Sequence, residues 1–256
     1  MARSPLPLQA MTVHPATRLP ALAAVLYVSC VVSVPLLAGG DTWIADRLYA
    51  WEGGTWALRD TWWLSTLVHA RGRDASALLW CAVAVAWAST WLGGLAPTWR
   101  RPLAYLLGAS LLSAVLVSLL KQRTGVDCPW DLARYGGTRP LLGLFDTRPD
   151  WMGRAACFPA GHASAGYGWF AAYFALAAVR PRWRWWGFGA AMSLGLVFGI
   201  GQQLRGAHFF SHDLWSATLA WLCAAVCARL WLPGVSAAPA KARTSAVPVT
   251  LPEAAR

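Results

Sequence analysis

Residues Leu103–Leu120 read LAYLLGASLLSAVLVSLL, without an acid, a base or a proline, and Lys121 follows at once. An uncharged run of this length is what a hydrocarbon core about 30 Å thick asks of a helix rising about 1.5 Å per residue. A charge at mid-bilayer costs roughly 2.5–3.5 kcal/mol even on the lenient insertion scales. Charge-free runs therefore mark where the chain can cross. Working outward, further runs are Leu19–Gly40, Ala75–Trp99, Ala155–Val179, Trp185–Leu204 and Ala207–Ala228, the last carrying Asp213 near its start. Gly and Ala recur within them, as suits close helix packing in lipid. The expected fold is all-α: a polytopic membrane bundle of six transmembrane helices.

Composition agrees. Of the 256 residues, 57% are hydrophobic and 13% charged, against roughly 25% charged in soluble domains. So few charges cannot cover a soluble globule, and so much apolar material excludes a disordered chain. The 18 tryptophans suit membrane interfaces. A net charge of +11 would suggest nucleic acid in a soluble protein. Here the arginines flank apolar runs, where they meet lipid headgroups, so membrane lipids are the expected partners and nucleic acid is not. The sequence leaves the oligomeric state open.

Leu19–Gly40 is too long for a signal peptide and reads as a retained span. Residues 1–18 and 233–256 read as disordered tails around a membrane domain at 19–232. An even number of spans puts both termini on one side. That side has the short basic connectors Arg100-Arg101 and Arg180–Arg184, which favours the cytoplasm. The long loops at 41–74 and 121–154 then face outward, and Cys128 and Cys157, in or beside the second, become a candidate disulfide.

Polar chemistry collects at the outer ends of the spans. His162, His208 and His212 begin the fourth and sixth runs; Lys121 and Arg123 follow the third; Gln202, Gln203 and Arg205 close the fifth. No His-Glu-x-x-His, Glu-x-x-His, Gly-x-Ser-x-Gly or P-loop pattern is present, so no metal site and no cofactor is expected. What remains is histidine chemistry beside cationic donors. Histidine can attack phosphorus, a second histidine can protonate the leaving oxygen, and Lys or Arg can stabilise the transferring phosphoryl group.

These residues resemble the type 2 phosphatidic acid phosphatase family, which shares its core with vanadium haloperoxidases, and they look like a divergent bacterial branch of it. The family carries Lys-x6-Arg-Pro, then Pro-Ser-Gly-His, then Ser-Arg-x5-His-x3-Asp. Here the first reads Lys121-Gln-Arg-Thr-Gly-Val-Asp-Cys128-Pro129, and the second Pro159-Ala160-Gly161-His162. The third reads Gln202-Gln-Leu-Arg205-Gly-Ala-His208-Phe-Phe-Ser-His212-Asp213. The motifs span about 100–230. The resemblance implies His208 as nucleophile, His162 as general acid and Lys121 as a phosphate ligand.

This sequence departs from the pattern at Cys128 and Gln202, where the family has Arg, at Ala160, where it has Ser, and at His212, where it has Asp. Arg205, Arg123, Arg154, Arg139 and Gln202 are candidates to supply the missing phosphate contacts. Asp213 or His212 is the candidate to hold the His208 tautomer. The implied activity is a metal-independent phosphatase of the inner membrane. It would act on a lipid phosphate or diphosphate through a phosphohistidine, with the site on the periplasmic face. A phosphotransferase between lipids and a catalytically decayed protein of the same fold are the alternatives.

Overall fold

The computed structural model describes residues 15–143 and 146–232. The expected tails at 1–14 and 233–256 lie outside the described residues. Residues 15–17, expected within the first tail, form a 3-10 turn in which Thr17 is buried.

The described chain is helical, with a single isolated β-bridge, Leu132 to Arg139. Helices α1 (Leu19–Pro35) and α2 (Asp41–Trp51) form one run, joined through a wide π-turn at Leu36–Gly40. Gly39 takes φ 120° there, a value open to glycine. A second run joins the π-helical Trp62–Arg71 to α3 (Gly72–Ser89). Then come α4 (Arg100–Lys121), α5 (Gly161–Tyr167), α6 (Ala171–Val179), α7 (Arg184–Leu204) and α8 (Phe210–Trp231). A 3-10 turn at Gly168–Phe170 links α5 to α6.

Several expected boundaries move, each for a local reason. The loop expected at 41–74 is largely helical, because the chain passes the Gly39-Gly40 break and Asp41 finds a partner on α8. The second span, expected to reach Trp99, stops at Ser89, and a turn with Gly93 at φ 80° precedes Pro97. The fourth span begins at Gly161 rather than Ala155, after Pro159, which has no N–H to donate. Three helical runs, Leu19–Trp51, Pro97–Lys121 and Phe210–Trp231, are long and apolar enough to cross a membrane. These apolar helices are consistent with a membrane protein.

Packing uses small residues and sparse polar bonds. A Cβ on Gly166 of α5 would lie 2.5 Å from the Gly195 nitrogen of α7, so glycine sets that approach. Tyr105 of α4 donates to the Ala224 carbonyl of α8 at 2.7 Å. Ser29 of α1 and Thr218 of α8 share a 2.8 Å hydroxyl bond, and Trp215 donates to Ser33 at 2.9 Å. Ser76 of α3 donates to the Ala165 carbonyl at 2.8 Å and accepts from the Trp169 indole at 2.9 Å. An aromatic core, with Phe170, Tyr173, Phe174, Phe188 and Trp221 in mutual ring contact, holds α6, α7 and α8 together. The C-terminal ends of α4 and α7 and the N-terminal ends of α3, α5 and α8 thereby meet at one end of the bundle.

Candidate active site

A cavity of about 190 Å³ opens at that end. Lys121, the last residue of α4, lines it together with Gly161, His162 and Ala165 of α5. Gln202 near the end of α7 and His208 just before α8 close one side. His69 and Arg73, straddling the start of α3, form the other.

Backbone turns set these side chains in place. The Arg205–Phe209 connector turns sharply at Gly206, whose φ is 69° and whose Cα lies against the Trp56 ring, so a side chain there would be doubly disfavoured. That turn delivers His208 at the mouth of α8. Asp41, buried at the start of α2, accepts the Ser211 N–H at 3.0 Å and its hydroxyl at 2.5 Å, capping the first turn of α8. Ala160 N–H donates to the His212 carbonyl at 3.2 Å. Ser216 donates to the carbonyls of both Ala160 and His212 at 2.9 Å. The turn before His162 is thus stitched to the turn after His208. The Lys121 side chain lies against Gly161, where a Cβ would sit 3.4 Å from Nζ, at ordinary contact distance.

The histidines are partnered. His208 Nδ1 lies 3.3 Å from His212 Nδ1, so one nitrogen donates and the other accepts. The Cys157 main chain is within hydrogen-bonding reach of both rings. His162 Nε2 donates to the Val68 carbonyl at 3.2 Å. His69 stacks obliquely on His162 with centroids 4.4 Å apart, and its Nδ1 accepts from the Gln202 amide at 2.8 Å. Gln202 in turn accepts from Arg205 Nη1 at 3.3 Å, and Arg205 Nε donates to the Arg59 carbonyl at 2.6 Å.

The outer loop is built around one acid. Asp127, with a side chain only 6% exposed, receives Arg139 at 2.5 Å and Arg148 at 2.6 Å. Arg148 also donates to the carbonyls of Gly125, Met152 and Gly153 at 3.0, 3.2 and 2.6 Å. Beside it, Cys128 and Cys157 are joined in a disulfide with Cα atoms 5.3 Å apart. Burial pushes the Asp127 carboxyl up, and the hydrogen bonds and charges of Arg148 and Arg139 outweigh that, leaving it below the usual carboxylate range. A depressed carboxyl contributes stability that is present above its unfolded value of 3.8 and lost as pH falls through the folded value. Asp127→Asn is expected to cost about 2 kcal/mol, below the 3–5 of a fully buried broken pair because both arginines reach solvent. Melting curves of both proteins in detergent should begin to draw together only below pH 3.8 and meet only below the lowered folded value, and equal stability at pH 7 would refute the assignment.

The sequence profile of one family, described as the PAP2 superfamily, matches residues 102–233. The chain belongs to the PAP2 superfamily. No curated protein and no solved structure matches it. Members of the PAP2 superfamily are typically phosphatases, which points to phosphoric ester chemistry on a phosphorylated substrate.

Within the PAP2 segment the structure gathers Lys121, His162, Gln202 and His208 around one cavity and sets His212 behind His208. Other expected positions require correction. Asp213 does not face His208: its carboxylate accepts from the Gln203 amide, on the side of α8 that meets Gly199. One residue along a helix turns a side chain by about 100°, and that turn hands the position next to His208 to His212. Arg205 is buried behind Gln202 and touches the cavity only through it. Arg123 and Arg154 are exposed on the outer loop and do not line the cavity. Arg139 is engaged with Asp127.

Two lining residues escaped the reading of the sequence, His69 and Arg73, both before the PAP2 segment. Their spacing, four residues apart at the start of an apolar run, was the available signal, since helical positions i and i+4 share a face.

Proposed function

We propose that the protein is a lipid phosphatase working through a phosphohistidine at His208. The observation that carries this reading is the His208–His212 pair at the edge of the cavity. With His208 Nδ1 donating to His212, the His208 Nε2 lone pair is free to attack phosphorus. His212 then does with a neutral nitrogen what the family's aspartate does with an oxygen. As the N–P bond forms, the P–O bond to the leaving group breaks, and His162 supplies the proton that the departing alkoxide needs. Because Nε2 of His162 is held on the Val68 carbonyl, Nδ1 is the nitrogen that gives and regains this proton. Water, deprotonated by the same nitrogen, then attacks the phosphohistidine and releases phosphate. Lys121 stabilises the negative charge on the phosphoryl oxygens throughout.

Location supports a lipid as the leaving group. The cavity sits at helix ends, where a bilayer presents its headgroups. A reading with six helical passes fits the described residues: the α1–α2 run, the run ending in α3, α4, α5–α6, α7 and α8. The far end carries Arg–Trp anchors, with Arg100 3.6 Å above the Trp91 ring and Arg101 donating to the Trp231 carbonyl at 2.5 Å. The site end carries exposed Trp43, Trp51, Trp62 and Trp63, the second girdle of a spanning protein. The disulfide beside the site favours an oxidising, periplasmic face of a bacterial inner membrane, with both termini cytoplasmic.

The test is release of inorganic phosphate from a panel of lipid phosphomonoesters and diphosphates by purified protein in detergent, with a chelator present. Turnover of at least one lipid, undiminished by chelator, is expected. No release from any of them would refute the reading.

A further inference from the structure

We propose that Arg73, with His69 beside it, is the phosphate-gripping wall of this site, and that it takes over the contacts the family draws from the arginines missing at 128 and 202. This rests on the phosphatase reading and goes beyond it by placing phosphate ligands on α3, before the segment that carries the family's motifs.

Positive charge is sparse at the cavity. Lys121 and Arg73 are the two permanent cations that line the cavity among the described residues. Position 128 is locked in the disulfide and cannot bind an anion. Arg205 already donates Nε to the Arg59 carbonyl and Nη1 to Gln202. Arg139 and Arg148 are committed to Asp127. A transferring phosphoryl group presents three equatorial oxygens, which a lone ammonium cannot span. A guanidinium offers a planar fork of donors matched to two of them.

Arg73 is free to do so. Its ion pair is with its own chain neighbour, Asp74, at 3.0 Å, and its side chain is 66% exposed. Exposed pairs of this kind hold weakly, so an incoming phosphate can recruit the guanidinium. The α3 backbone beneath it is fixed, because Ser76 bonds to Ala165 of α5 and to Trp169. His69, one helical turn earlier, completes the wall. Its Nδ1 accepts from Gln202, which forces the proton onto Nε2 and makes that nitrogen a donor. Gln202, standing where the family has arginine, thus orients a second donor.

Arg73→Ala and Arg73→Lys should be measured for hydrolysis and for binding of inorganic phosphate and vanadate, with melting in detergent as the fold control. Arg73→Ala is expected to lower kcat/KM about 100- to 1000-fold and to weaken vanadate binding by a similar factor at unchanged melting temperature. Arg73→Lys should recover only part of both. Activity of Arg73→Ala within threefold of wild type would overturn the proposal while leaving the phosphatase reading intact. Should the wild type hydrolyse no phosphate ester, that reading fails and binding alone decides. Phosphate bound by the wild type and at least tenfold more weakly by Arg73→Ala would uphold the Arg73 wall. Equal binding by both proteins, or none by the wild type, would overturn it.

Discussion

Replacing His208 by Asn is expected to abolish turnover and, with it, the acid-labile phosphate that the proposed phosphohistidine should leave on the wild-type chain during turnover. Asparagine keeps much of the volume and polarity of the ring but offers no basic nitrogen to attack phosphorus. The loss should approach the limit set by the uncatalysed reaction, about 10⁴-fold or more, as for nucleophiles elsewhere. His162→Asn should behave differently. It removes the proton donor but spares the nucleophile, so slow leaving groups suffer most and activated ones least. A phosphoenzyme that forms but does not turn over is the expected mark of that variant. Hydrolysis by His208→Asn at the wild-type rate would show that the nucleophile lies elsewhere.

The second large effect is expected at His212. It is 2% exposed, and its Nδ1 faces His208 Nδ1. Alanine there leaves the His208 Nδ1 proton without an acceptor and the ring free to choose the other tautomer, which buries the lone pair needed for attack. Mis-set tautomers in comparable histidine sites cost on the order of 10⁴-fold in kcat, and a loss of 10²–10⁴ is expected. His212→Asp restores an acceptor of the family's own kind and should recover most of the lost rate. The pair of variants separates orientation from packing: if Asp performs no better than Ala, the imidazole matters for shape rather than for its bond to His208. Substrate KM should move little in either variant, because His212 does not line the cavity.

Much of this was legible in the residues. Uncharged runs located the helices because burying charge in lipid is costly everywhere along a span. Lys121, His162 and His208 line one cavity because motif spacing and helix ends coincide. What the residues hid were features set by tertiary contact. Asp41 reads as a loop acid that ends an apolar run, yet it continues the helix because Ser211, far along the chain, supplies its hydrogen bonds. Asp213 and His212 are neighbours in sequence, and only the azimuth of α8 decides which meets His208. Arg205 lies three residues before His208 and reads as a candidate phosphate contact beside it. The connector bends at Gly206, so helical spacing does not apply there. Arg73 falls in a stretch, 41–74, whose residues read as loop, and its helical face becomes visible only in the fold.

The bonds between the first helical run and the last helix carry a consequence for biosynthesis. Asp41 and Ser211 are separated by 170 positions, and Ser29 and Thr218 by 189. No such contact can form until the final helix has left the ribosome and joined the bundle. His208, the proposed nucleophile, and His212, which faces it, arrive with that last segment, and only then does Asp41 meet the turn that it caps. On the proposed reading, a nascent chain therefore holds Lys121 and His162 in an inert form, and the site is completed only when synthesis is nearly over.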